Sequence, residues 1–267
     1  MRTEKYLIKP GSKIELADYK PGDTADYDKS TGLAELEGLR ADLNPLQQLL
    51  YASGKYGMLI VLQGMDTSGK DGICRHVVSA FNPQGVQITS FKVPTEEEIA
   101  HDFMWRIHKA VPRRGTVGIF NRSHYEDVLV VRVENIVPEA VWRKRYEIIN
   151  DFESCLVGNK IVVIKFFLHI SKEEQRRRLA DRLADPTEYW KFRTSDLKAR
   201  AKWDDYMLAY EDALNECSTK QAPWYLIPAD KKWYRDLLIS HILKEKLSSL
   251  KLEWPPLEEA AKGITLI

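Results

Sequence analysis

Five apolar residues, Met58-Leu59-Ile60-Val61-Leu62, run through Gln63 into Gly64-Met65-Asp66-Thr67-Ser68-Gly69-Lys70-Asp71, and a helical pattern through Val77, Val78 and Phe81 follows. A strand, a G-x-x-x-x-G-K loop and a helix in that order form a phosphate-binding device. The glycines let backbone N–H groups turn toward phosphate oxygens, the helix start adds a positive dipole end, and the lysine reaches the outer phosphates. Two carboxylates depart from the usual pattern. Asp71 stands where a Ser or Thr hydroxyl normally ligates magnesium, and Asp66 lies inside the loop. The plainer reading, a Gly-rich turn with a solvated lysine, does not explain why strand, loop and helix all coincide.

Further apolar runs at Val86 to Phe91, Thr116 to Phe120, Ile161 to Leu168 and Trp224 to Ile227 alternate with longer helical patterns. Unbroken apolar runs predict strands buried on both faces, and intervening helices predict crossovers. The expected fold class is α/β, a three-layer α/β/α P-loop kinase fold with a five-stranded parallel sheet in one domain spanning 1–267. Leucines at 33, 36, 39, 43, 46, 49 and 50 predict an amphipathic helix over Thr31 to Tyr51, with Pro45 as a possible kink. Residues 1–30 lack a period and predict an irregular arm on the surface or on a partner subunit. Residues 171–221 exceed what one crossover helix needs and predict a helical lid insertion.

Forty Lys+Arg against 39 Asp+Glu leave a net charge of +1, so no global field draws the chain to nucleic acid or anionic membrane. Three cysteines without C-x-x-C spacing predict neither a disulfide framework nor a zinc site. The longest apolar stretch, Ile161 to Ile170, is broken by Lys165 and is about half the ~20 residues of a membrane helix. The N-terminal residues lack the apolar core of a signal peptide. A cytoplasmic protein is expected.

After the third apolar run stands Phe120-Asn121-Arg122-Ser123-His124-Tyr125-Glu126-Asp127. Ligands bind at strand ends of open α/β sheets, so these side chains should face the site. Ser123 and Glu126 also have the spacing of a capping box, which leaves Glu126 two roles, closing its own helix or contacting metal or substrate. Asp127 has no capping role and is a candidate magnesium ligand. From Phe103 to Tyr125 the charged residues are Arg106, Lys109, Arg113, Arg114 and Arg122, with no acid among them. In the lid region, Arg178 and Arg182 are neighbours on one helix face, where like charges repel unless an anion lies between them. A solvated face paired with Glu173, Glu174, Asp181 and Asp185 is the alternative. The six histidines show no metal-ligand spacing, and no G-x-S-x-G elbow is present.

These motifs resemble the family-2 polyphosphate kinases over nearly the whole chain. The resemblance rests on Gly64 to Asp71, on Asn121-Arg122-Ser123 with Tyr125, and on Asp185-Pro186-Thr187-Glu188-Tyr189-Trp190-Lys191. It extends through Trp203-Asp204-Asp205-Tyr206 and the run from Ala222 to Trp233. It implies a catalytic Asp66, a phosphate-contacting Lys70 and an arginine after the third strand matched by Arg122. Many members carry Asp where this chain has Asn121, which implies that the acidic role passes to Glu126 and Asp127. The His-Tyr-Glu-Asp form looks like the branch that accepts both nucleoside mono- and diphosphates.

The resemblance thus implies phosphoryl transfer from inorganic polyphosphate to AMP and ADP, with adenine nucleotides as acceptors. Mg2+, with Mn2+ as a substitute, would sit on Asp66 and Asp127. Lys70, Arg122, Arg178 and Arg182 would stabilise charge on the moving group. Gly64, Met65, Thr67, Ser68, Gly69 and Asp71, with Asn121 and Glu126, would contact the phosphates and nucleotide. Lys109, Arg113 and Arg114 would line a polyphosphate channel, and Trp190 or Tyr189 would either lie near the base or pack into the core. A homo-oligomer without nucleic-acid or membrane partners is expected. Two alternatives stay open: an ATP-dependent nucleoside or nucleoside-monophosphate kinase, and a non-catalytic polyanion or nucleic-acid binder.

Overall fold

Hydrogen bonding in a computed structural model, which describes residues 1–261, joins the apolar runs into one parallel sheet. The final stretch of the expected domain, 262–267, lies outside the described residues. The strands are β1 (Gly57–Gln63), β2 (Val86–Ser90), β3 (Val117–Asn121), β4 (Ile161–His169) and β5 (Trp224–Pro228), in the order β2-β3-β1-β4-β5. Leu62 is level with Asn121 on one side and Phe166 on the other. The loops after β1, β3 and β4 therefore open together at one edge of the sheet. β1 is buried along its whole length, as its apolar run requires. β2 differs from the expectation: it is an outer strand, and Gln87, Ile88 and Ser90 are exposed.

The helices are α1 (Lys29–Ser53), α2 (Lys70–His76), α3 (Glu96–Ile99), α4 (Trp105–Ala110), α5 (Val130–Val133), α6 (Glu139–Gly158), α7 (Lys172–Ala184), α8 (Thr194–Ala201), α9 (Trp203–Glu216) and α10 (Lys232–Ser249). Asp28 caps α1, its carboxylate accepting from the N–H groups of Ser30 and Thr31, and the helix continues through Pro45. Right-handed crossovers place the β3–β4 and β4–β5 connections on one face of the sheet. Accordingly Lys165 and Phe167, two residues apart on β4, meet Glu153 of α6 and Tyr210 of α9. α2 lies on the opposite face with α1 and α10. Asn44 of α1 donates to the Ala80 carbonyl, and His241 of α10 lies 2.7 Å from Glu35 of α1. Gly32 lets α1 approach α10 closely, since a Cβ there would lie 2.4 Å from the Trp233 ring.

Two expectations change. The N-terminal arm is built into the protein: Tyr6, Ile8, Ile14 and Leu16 are buried, and the Ile8 N–H donates to the Trp224 carbonyl at the edge of β5. The arm turns through short 3-10 segments at Thr3–Tyr6 and Leu16–Asp18, so its apolar positions follow no period. The 171–221 insertion, expected as a helical lid, packs much of α7 and α9 into the protein. α9 buries Trp203, Ala209, Tyr210, Ala213 and Leu214, and α7 buries Gln175, Arg178 and Leu179. Exposed lid character is confined to the span between them, where Tyr189 and Trp190 stand in solvent. Among the described residues no helix is long and apolar enough to cross a membrane.

Candidate active site

The loop after β1 takes backbone conformations that favour glycine: φ is +148° at Gly64, +65° at Thr67 and +107° at Gly69. A Cβ on Gly64 would lie 2.7 Å from the Leu168 carbonyl oxygen, and one on Gly69 would collide with the Arg235 guanidinium. Lys70 opens α2 and folds back into the loop, donating to the carbonyls of Gly64 (2.6 Å) and Met65 (3.2 Å). Burial, helped by the positive charge of Arg122, lowers its pKa to about 8. The hydroxyls of Thr67 and Ser68 are buried in the same loop with no hydrogen-bond partner among the described residues.

Arg122, just past β3, has φ +61° and turns its side chain across to this loop. Its Nη2 donates to Asp66 Oδ1 at 2.6 Å and its Nη1 to Glu126 Oε2 at 3.4 Å. Asn121 donates through Nδ2 to Asp71 Oδ1 at 2.6 Å, so the unusual carboxylate of the loop is held by the residue that stands where an acid was expected. The capping box between Ser123 and Glu126 does not form. Ser123 Oγ accepts from the Tyr125 N–H and from Gln63 Nε2, leaving the Glu126 carboxylate directed to Arg122. Asp127 lies further round the turn. Arg145 of α6 donates to both its carboxylate and its carbonyl, at 3.1 and 2.9 Å, while burial pushes its carboxyl up to about 6.

The sequence therefore brings Asp66, Lys70, Asp71, Asn121, Arg122 and Glu126 together, with Gly64, Met65, Thr67, Ser68 and Gly69 framing them. Other expected residues stand differently. Arg178 is not a free phosphate-facing group. Its Nε donates to Glu174, its Nη1 to the Thr67 and Ser68 carbonyls, and its Nη2 to the Ala229 and Asp230 carbonyls. These five contacts match the five N–H groups of a guanidinium. Arg182 reaches the Lys191 carbonyl and lies 3.6 Å from Asp196. The repulsion expected between Arg178 and Arg182 is thus met by Glu174 and Asp196 within the chain. Lys109 lies 3.2 Å from the centre of the Trp105 ring. Arg113 and Arg114 precede β3, at the opposite end of the strand from Asn121, and the Arg113 carbonyl closes the turn to Thr116. They lie about 15 Å or more from the loop edge, given ~3.3 Å per strand residue.

Asp66 and Asp127 are held by different arginines, and among the described residues no group of three or more His, Cys, Asp or Glu is arranged to hold a metal. Sequence reading missed Arg145, which sits in a mixed-charge helix without a motif. It also missed Gln175, whose Nε2 donates to the Asp66 carbonyl, and Arg235, which donates to the Ser68 carbonyl.

A family model described as Polyphosphate kinase 2 (PPK2) matches residues 26–254. The chain belongs to the polyphosphate kinase 2 family. Among its relatives is an AMP/ADP-polyphosphate phosphotransferase of Meiothermus ruber, 51% identical over 98% of this chain and 99% of that protein. An ADP-polyphosphate phosphotransferase of Rhodopseudomonas palustris is 42% identical over 96% and 93% of the two chains. The crystal structure of polyphosphate kinase 2 from Arthrobacter aurescens superposes with a TM-score of 0.92 at 46% identity, covering 97% of this chain and 94% of that one. The α/β fold is thus that of the polyphosphate kinase 2 family.

Proposed function

We propose that this protein transfers phosphoryl groups from inorganic polyphosphate to AMP and ADP, working in the cytoplasm as a homo-oligomer. The observation that carries the reading is the Asp66–Arg122–Glu126 chain of contacts laid against a phosphate loop whose lysine is already in place. Similarity to AMP/ADP and ADP phosphotransferases over nearly full length supports the donor and the acceptors.

An oxygen of the acceptor's terminal phosphate attacks the end phosphorus of polyphosphate, and the bond from that phosphorus to its bridging oxygen breaks. The donor leaves one unit shorter. This chemistry needs positioning and charge neutralisation more than covalent help. The Lys70 ammonium exchanges the Gly64 and Met65 carbonyls for phosphate oxygens, and an adjacent anion raises its lowered pKa again. Arg122 spans the space between Asp66 and Glu126, where it can follow charge from one oxygen to another. Arg178 holds the loop carbonyls in place from behind. Mg2+, a hard cation bound through one or two carboxylates plus substrate phosphates, suits these oxygen donors only once Asp66 and Asp127 exchange Arg122 and Arg145 for it. Asp66 and Asp127 would hold it, with Mn2+ as a substitute, and it would neutralise phosphate charge. The net charge of +1 supports a small polyanion over nucleic acid as the partner.

The test is direct: purified protein, Mg2+, polyphosphate and AMP, without ATP, with products resolved by chromatography. ADP and then ATP are expected. Phosphorylation of AMP only when ATP is the donor would replace this reading with that of a nucleoside-monophosphate kinase.

A further inference from the structure

Beneath the turn that carries Arg122, Glu126 and Asp127 lies a polar cluster that phosphoryl transfer does not use. Lys165, in the middle of β4, is completely buried and donates to Glu153 Oε2 (2.5 Å), the Cys217 carbonyl (2.6 Å) and the Tyr125 hydroxyl (2.8 Å). The Tyr125 hydroxyl donates to Glu153 Oε1 at 2.9 Å, and His124 Nε2 lies 3.2 Å from the same oxygen. Burial pushes the His124 imidazole down, which leaves a neutral ring as the donor to that carboxylate. Tyr125, His124 and Glu153 are as fully enclosed as Lys165.

Stability alone is a weak account of this arrangement. A buried ion pair is commonly replaced by apolar residues of similar volume without loss, because desolvating two charges offsets their attraction. β4 reads Ile161-Val162-Val163-Ile164-Lys165-Phe166-Phe167-Leu168, and the lysine interrupts an apolar strand. What the cluster does hold is sequence position. His124 and Tyr125 lie between Arg122 and Glu126, so anchoring those two rings fixes the backbone on both sides. Arg122 has φ +61°, a conformation that a non-glycine residue keeps only where its surroundings over-determine it. The same helix grips the turn twice, because Arg145, on the same stripe of α6 as Glu153, donates to Asp127.

We propose that Glu153, braced by Lys165, is a positioning residue of the active site: through His124 and Tyr125 it sets the turn that aims Arg122 and Glu126 at the phosphate loop. The inference rests on the active site described above but not on the identity of the phosphate donor.

Two changes test it. Tyr125→Phe removes one hydroxyl, and Glu153→Gln combined with Lys165→Met removes both charges together, so neither leaves a lone buried ion. Melting temperature, kcat and KM for AMP are measured beside amide hydrogen exchange over 121–127 and 64–70. Both variants are expected to melt within a few degrees of the parent. Both should lose about tenfold or more in kcat while KM stays within about threefold, as misplacement of a group acting in the transition state requires. Exchange over 121–127 should quicken while that over 64–70 does not. Unchanged exchange over 121–127, or a parental kcat in both variants, overturns the proposal. If either variant unfolds, the other decides by the same readouts. Parental protein inactive with polyphosphate would overturn the functional reading instead, and the exchange measurement would still decide this one.

Discussion

Arg122 Nη2 meets Asp66 Oδ1 at 2.6 Å, joining the residue after β3 to the middle of the loop after β1. The contact spans 56 positions of sequence, yet it follows from register, because Leu62 and Asn121 are level in adjacent strands. It places a carboxylate, a guanidinium and a second carboxylate in series beside Lys70. Asp66→Asn keeps the shape and removes the charge. It is expected to lower kcat by ~10² to 10³ with the melting temperature held, as loss of a preorganised electrostatic contact does. Steady-state kinetics beside a thermal melt check this, and near-parental turnover would remove Asp66 from the chemistry.

Asp127 gives a signed pH dependence. Its carboxyl is raised to about 6 by burial, above the ordinary value near 4, so between those values the folded protein keeps a proton that the unfolded chain releases. Its contribution to stability is therefore greatest at low pH and is lost as pH rises through about 6. Asp127→Asn cannot titrate. The unfolding free energy of the parent relative to this variant should rise by ~1 to 3 kcal/mol between pH 7.5 and pH 4.5, measured by denaturant titration. The parent's kcat/KM should also fall below pH 6 if the ionised carboxylate acts in the reaction. A pH-independent difference in stability would show that Asp127 titrates normally.

Arg178 separates holding the loop from touching phosphate. Lysine has three donors and no planar fork, so Arg178→Lys cannot replace all five contacts to Glu174, Thr67, Ser68, Ala229 and Asp230. Destabilisation of ~1 to 3 kcal/mol is expected from the buried carbonyls left without a donor. Chemical denaturation reads it. A variant as stable as the parent but with weakened polyphosphate binding would return Arg178 to the substrate.

The sheet and the phosphate loop were legible because local patterns encode them: apolar runs give strands, and glycines at fixed spacing give the turn. Pairings across the fold were not. Arg145 carries no motif that points to Asp127, and Arg178 reads as a free cation until its carbonyl partners are known. The buried arm was hidden because Tyr6, Ile8, Ile14 and Leu16 lie on turns without a period. The acid-free run from Phe103 to Tyr125 is continuous in sequence but divided in space. It contains β3, which carries the chain from one end of the sheet to the other, so Arg114 and Arg122 are close in sequence but apart in space.

That separation makes its own prediction. Neutralising Arg113 and Arg114 together should leave polyphosphate affinity and its salt dependence unchanged. Each phosphate contact contributes roughly one unit to the slope of log affinity against log salt. Titrations at several salt concentrations would detect two lost contacts, and a shallower slope would put these arginines back in the binding path.

Glu126 bears on acceptor choice. Its alternative role has lost its structural basis, since Ser123 Oγ takes the Tyr125 N–H and the Glu126 carboxylate turns to Arg122. AMP ends in one phosphate and ADP in two, so when the accepting oxygen sits at one reaction point, ribose and base lie at different depths. An enzyme that uses both must adjust the charge around that point. Glu126 shares Arg122 with Asp66, so its charge governs how firmly the guanidinium stays near the loop. Glu126→Gln weakens that hold while preserving shape. It is expected to change the ratio of kcat/KM for AMP to that for ADP by about tenfold, or ~1.4 kcal/mol of differential transition-state binding. The melting temperature should barely move, because no cap is lost. Both acceptors are assayed on one preparation: equal losses would assign Glu126 to general support of Arg122, whereas unequal losses assign it to acceptor selection.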